Sequence, residues 1–134
     1  MAAAGEGGMS GMGFQYVVLR CVPRVDREEF VNVGVVLYCQ QAGFLEARCH
    51  VDADRLAALA PDLDLDAVRS ALEAVGAVCR GDESAGAAGR TPLGTRFGFI
   101  TAPRSTVVQP GPIHGGLTTD PARELDHLLD RLVR

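Results

Sequence analysis

The segment Thr101–Gly116, TAPRSTVVQPGPIHGG, holds the side chains of this 134-residue chain best suited to binding chemistry. Arg104, Ser105, Thr106, Gln109 and His114 fall within it, together with three prolines and no acid. An arginine fork matches the geometry of phosphate or carboxylate. Neighbouring hydroxyls and backbone N–H groups can complete an anion cradle, and Gly115 and Gly116 allow a backbone to approach closely. A competing explanation is that Ser105 and Thr106 satisfy turn hydrogen bonds while Pro110 and Pro112 stiffen a crossing segment. GPIHGG lacks the lysine and the spacing of a phosphate-binding P-loop. Histidine as a residue type titrates near neutral pH, so His114 would suit a general base. No GxSxG elbow, HExxH or paired-cysteine motif accompanies it, and no catalytic residue is assigned.

Three stretches upstream read as the elements that must carry any such site. Phe14–Val22 is rich in β-branched and aromatic residues and ends at Pro23, as a strand would. Phe30–Cys39 and Phe44–Val51 follow, joined by the turn sequence QQAG, which predicts an antiparallel meander. Parity sorts their side chains onto two faces. One face collects Val17, Leu19, Cys21, Val31, Val33, Val35, Leu37, Cys39, Leu45, Ala47, Cys49 and Val51, all apolar. Three of the four cysteines thus turn toward a core, where a free thiol behaves as a small hydrophobe. The other face is mixed: Tyr16, Arg20, Asn32, Tyr38, Arg48 and His50 could form a concave polar surface. Val18 and Val36 on that same face favour coverage by the last helix or by a partner over plain solvation.

Leu65, Val68, Leu72, Val75 and Cys79 repeat at helical spacing, with Asp62 or Asp64 as cap and Gly81 as terminator. Before them, VDADRLAALAP reads as a short helix that Pro61 ends. GDESAGAAGRTPLG reads as a surface loop. Arg96–Ile100 and Ser105–Gln109 read as short strands with TAPR between them, and GPIHGG as loop. Asp120 before Pro121 starts a last helix whose stripe is Leu125, Leu128, Leu129 and Leu132, and which leaves His127 on its polar side. The pattern predicts an α+β fold: an antiparallel sheet of about four to five strands with two main helices. It forms one two-layer domain over residues 14–134, behind a flexible tail of residues 1–13.

Composition narrows the functions. The net charge of −4 opposes a general nucleic-acid binder, although Ser84–Thr119 is free of acid and contains Arg90, Arg96 and Arg104. All thirteen basic residues are arginine, a usage that fits a GC-rich bacterial genome. No apolar run is long enough to span a membrane, no secretory signal is visible, and a cytoplasmic location is expected. Cys21, Cys39, Cys49 and Cys79 lack metal-ligand spacing. Asp62, Asp64 and Asp66 lack the glycine and glutamate of a calcium loop, so no metal or cofactor is expected.

The blocks VLRCVPRVDREEFVNVGVVLYC and FGFITAPRSTVVQPGPIHGGLTTDPARELDHLLDRLV resemble the bacterial family called Domain of unknown function 3037. The resemblance runs from about Tyr16 to Val133 and places emphasis on Glu29, Phe30, Asn32, Gly34, Arg104, Ser105, Thr106 and Gln109. Gly34 within a strand implies a bulge or the close approach of another group. The resemblance also implies a small accessory protein encoded beside a HipA-like kinase, although nothing in this chain resembles a kinase. Two readings follow. The first is a non-catalytic interaction or regulatory module working with a separate enzyme. The second is a small enzyme or sensor that binds a phosphorylated or carboxylated ligand around Arg104 and His114, with Asn32 and Arg20 contributing if the two regions meet.

Overall fold

Strand-forming residues at alternate positions build β1 (Met12–Cys21), β2 (Val31–Cys39) and β3 (Phe44–Cys49), an antiparallel meander as expected. The computed structural model describes residues 11–104 and 106–134. Residues 1–10 of the tail expected over residues 1–13, and the site position Ser105, lie outside the described residues. Met12 and Gly13, assigned by composition to that tail, belong to β1. On the far side of β1 lie β4 (Val108–Pro110) and β5 (His114–Thr118), placed end to end. Three steps on β1, from Leu19 to Tyr16, face four on the other strand, from Pro110 to His114. One extra residue therefore sits between β4 and β5. The five described strands make an antiparallel sheet with β3 at one edge among them.

Among the described residues four α-helices accompany the sheet: α1 (Ala53–Leu59), α2 (Leu65–Arg80), α3 (Leu93–Thr101) and α4 (Pro121–Leu132). The ends of α2 and α4 follow the sequence signals. Asp64 accepts the Ala67 N–H at 3.1 Å, Gly81 ends α2 in the left-handed region, and Asp120 caps α4 ahead of Pro121. Three corrections concern the segment between α2 and α4. The expected loop 81–94 contains 3-10 turns over Glu83–Arg90. The expected strand Arg96–Ile100 is part of α3, because Leu93, Phe97 and Ile100 recur at helical spacing and turn one side to the core. GPIHGG, read as loop, supplies the start of β5.

The sheet carries helices on both faces, where a two-layer arrangement was expected. Val17, Leu19, Cys21, Val33, Val36 and Leu45 pack under α2 and α3. Phe14, Val35, Leu37 and Cys39 pack under α4 with Leu125, Leu128, Leu129 and Val133. Simple parity fails in β2 because its pairing with β1 shifts: Leu19 faces Gly34, while Arg20 faces Asn32. Val33 is the extra residue of a β-bulge, and beyond it the strand's side chains exchange faces. Val35, Leu37 and Cys39 leave the expected face, and Tyr38 joins the α3 side, where its ring stacks on Phe97 at 5.3 Å.

The cysteines are redistributed accordingly. Cys21 and Cys39 are buried on opposite faces, and Cys79 is buried on α2. Cys49, expected in the core, is exposed over its surface as a residue. Its sulfur nonetheless lies close to the Gly34 backbone. Burial pushes the Cys79 thiol up to about 12, with Cys49 adding to the shift, and pushes Cys49 up to about 11. A thiol held protonated in the folded state and released at its ordinary value in the unfolded chain stabilises the fold fully below about 9. That contribution is lost as pH rises from there toward 12. The urea midpoint should therefore fall over this window, and the fall should be shallower in Cys79→Ala.

Gly34 allows the bulge to close. A Cβ there would meet the Cys49 sulfur at 3.0 Å and the Arg48 carbonyl oxygen at 3.1 Å, and the second is sheet backbone that cannot swing away. Gly34→Ala should lower stability by roughly 1–3 kcal/mol, the usual range for overpacking, as measured by urea denaturation.

Candidate functional site

Opposed residues on neighbouring antiparallel strands share a face. Gln109 on β4 faces Arg20 on β1, and Arg20 faces Asn32 on β2. Three of the residues singled out from sequence therefore form one row across three strands. The row lies on the α4 side, just past the point where α4 ends. There the Asn32 amide donates to the Leu132 carbonyl at 3.0 Å and satisfies one of the open carbonyls of the helix terminus. The Asn32 carboxamide oxygen is buried and has no partner among the described residues.

Arg20 is half-buried. No carboxylate lies within ion-pair range of it among the described residues. Its guanidinium carbon sits 4.2 Å from the centre of the Phe30 ring, a cation–π contact, and its buried Nε has no hydrogen-bond partner. Phe30 covers this group while leaving 45% of its own surface exposed. Gly111 packs against the same group, where a Cβ would fall 3.1 Å from Nε and 3.2 Å from Nη2. A shallow cleft of about 260 Å³ opens beside the pair, lined by Arg20, Val22, Val25, Glu28, Phe30 and Gln109. Glu28 holds φ 56° at the end of the 3-10 turn Val25–Arg27, a left-handed conformation costly for a residue with a Cβ. The tight turn lets the chain double back and bring Phe30 over Arg20.

The same sheet face continues along β1 and β5. Tyr16 faces His114 in register, and their rings stack at 5.2 Å. His114 is exposed, so this arrangement extends the surface with an aromatic step. The α4 helix covers β2 and β3 more than it covers β1, β4 and β5, so Tyr16, Val18, Arg20, Gln109 and His114 occupy the less covered half.

Arg104 and Thr106 are positioned elsewhere. The Arg104 guanidinium donates to the carbonyls of Phe99 and Ala102 at the end of α3 and lies over the Phe99 ring at 5.2 Å. A cation at a helix C-terminus is favourably placed. Arg104 lines a cavity of about 280 Å³ with α2, on the opposite side of the sheet from Asn32. Thr106 donates to the Val108 carbonyl at 2.6 Å, and the Gln109 amide donates to the Thr106 carbonyl at 3.0 Å. These local bonds match the turn-satisfying alternative for the segment. Arg48 pairs with Glu46 at 2.8 Å and Asp126 at 3.4 Å, while His50 is exposed beyond β3.

Sequence reasoning missed the cover that Phe30 forms over Arg20 and the seat provided by Gly111. An aromatic residue at a strand start and a glycine between two prolines were the available signals, but neither discloses the cross-strand neighbour. Among the described residues no cluster of His, Cys, Asp and Glu could hold a metal, and no helix is long and apolar enough to cross a membrane.

The model of the family described as "Protein of unknown function (DUF3037)" matches residues 16–133. The chain belongs to that family, and the matched span contains every member of the Gln109–Arg20–Asn32 row. No curated protein and no solved structure matches the chain.

Gly111→Ala should shift the guanidinium by a few tenths of an ångström, because the added Cβ would stand 3.1 Å from Nε. The buried Arg20 Nε–H should then exchange faster with solvent, and its NMR resonance should move. The crowded group is the end of a flexible side chain, so stability should change by less than about 1 kcal/mol.

Proposed function

We infer that this protein is a non-catalytic interaction module that works with a separate enzyme and docks through the less covered half of its sheet, centred on Arg20 and Phe30. The observation that carries this reading is the half-buried guanidinium, without an acid partner among the described residues, stacked beneath a half-exposed aromatic ring. Arginine and aromatic residues dominate the energetics of protein interfaces when they lie in a desolvated setting. The fitting counterpart is a carboxylate side chain on the partner, flanked by apolar surface that meets Phe30, Val18 and Tyr16. The family resemblance makes a HipA-like kinase the enzyme to test first.

The cleft beside Arg20 favours a second reading, a sensor for a small carboxylate or phosphate. The guanidinium that would serve this role is that of Arg20, since the donors of Arg104 already point to carbonyl oxygens. A thermal-shift series with inorganic phosphate and acetate separates this reading from the first, which expects no response to either.

Co-purification of the full chain with the kinase, with and without nucleotide, tests the main reading. Wild type should be retained, and Arg20→Ala and Phe30→Ala should each weaken retention by roughly tenfold or more, as hot-spot truncations do. Their circular dichroism should stay unchanged. Absence of retention for wild type under both conditions would reject the kinase as partner. Full retention of both variants would reject the docking face.

A further inference from the structure

β3 is the open edge of the sheet among the described residues: β2 pairs with one side of it, and no described strand pairs with the other. The His50 N–H donates to the Val33 carbonyl at 2.9 Å, which sets the alternation along the strand. Arg48, Glu46 and Phe44 direct their backbone groups toward β2. Leu45, Ala47 and Cys49 direct theirs outward. The Ala47 carbonyl, on this outer side, accepts only a long bond of 3.3 Å from the neighbouring Arg48 guanidinium. An unpaired edge of this kind is a template for strand addition.

The groove along the edge has room for another strand. It measures about 400 Å³ between β3 and α2 and is lined by Leu45, Ala47, Gly76, Cys79 and Arg80 among others. Gly76 places no side chain over it. The charges along β3 point to a particular occupant. In an antiparallel pairing about a twofold axis through Ala47, Leu45 of each copy meets Cys49 of the other. Glu46 of each copy meets Arg48 of the other. The Glu46–Arg48 positions are the non-hydrogen-bonded ones, where side chains on adjacent strands come closest. Both symmetric contacts would then join opposite charges, and opposite charges at such positions stabilise pairing.

We propose that the occupant is a second copy of this chain, joined through β3 to give one continuous sheet across a twofold axis. Six main-chain hydrogen bonds would form, shared between the outward-facing groups of Leu45, Ala47 and Cys49 in the two copies. Arg48, now bonded to Glu46 of its own strand at 2.8 Å and to the Ala47 carbonyl, would turn to Glu46 of the other copy. This surface lies at the opposite edge from β4 and β5, so the proposal stands apart from the docking face centred on Arg20.

Sedimentation velocity of the full chain over a range of concentrations tests it. Wild type should show a monomer–dimer equilibrium. Arg48→Glu places like charges together at both symmetric contacts and should raise the dimer Kd by roughly tenfold. The double exchange Glu46→Arg with Arg48→Glu restores opposite charges and should restore the dimer. Ala47→Pro removes an outward N–H that β2 does not use, so it should leave a folded monomer. A wild type that stays monomeric at every soluble concentration overturns the proposal, whether or not the edge captures an extended peptide. A dimer that is unchanged by both Arg48→Glu and Ala47→Pro also overturns it.

Discussion

The extra residue at Val33 is the constraint on which the molecule turns. Without it, β2 would keep one parity from Val31 to Cys39, and all of its odd-numbered side chains would enter a single core. With it, Val33 and Val36 serve the layer under α2 while Val35, Leu37 and Cys39 serve the layer under α4. One strand thereby supplies both cores. The bulge also aligns Asn32 with Arg20, so the polar row and the second hydrophobic layer have a common origin. Gly34 is the residue that makes this geometry possible, since the Cys49 side chain and the Arg48 backbone occupy the space a Cβ would need.

The arginines illustrate how environment, more than residue type, selects a binding group. Arg104 stands in the most conspicuous polar stretch of the chain, yet its donors close the end of α3. Arg80 is held between Glu73 and Asp82, and Arg48 between Glu46 and Asp126. Arg20 lies in the middle of an apolar strand sequence, VVLRCV, and lacks such a counter-charge among the described residues. A guanidinium is less strongly hydrated than an ammonium and stacks on aromatic faces, which lets it stay half-buried beneath Phe30. A lysine there would have to give up more hydration for a less well-shaped contact.

Much of the architecture was legible because it depends on local rules. β1 to β3 follow from β-branched alternation and short turns. The ends of α2 and α4 follow from Asp64, Gly81, Asp120 and Pro121. What escaped depends on partners distant in sequence. The bulge was signalled by Gly34, but its effect on every later side chain of β2 required the register with β1. The run RFGFI is too short to separate a buried helix from a strand by periodicity. β5 was hidden because His114–Thr118 contains two glycines and just one large apolar side chain, Leu117, which is 72% exposed. For the site, Arg20, Asn32 and Gln109 were named from parity and family emphasis, whereas their alignment in one row and the separation of Arg104 needed the sheet.

The placement of Cys21 and Cys39 has a practical consequence. Each is buried without a disulfide, one in the layer under α2 and the other in the layer under α4. Nature has thus installed a separate reporter in each half of the interior. Thiol-trapping rates followed by peptide mass mapping would register whether the two layers breathe together or one at a time. A domain with two cores fed by a single bent strand makes that distinction measurable without adding any foreign probe.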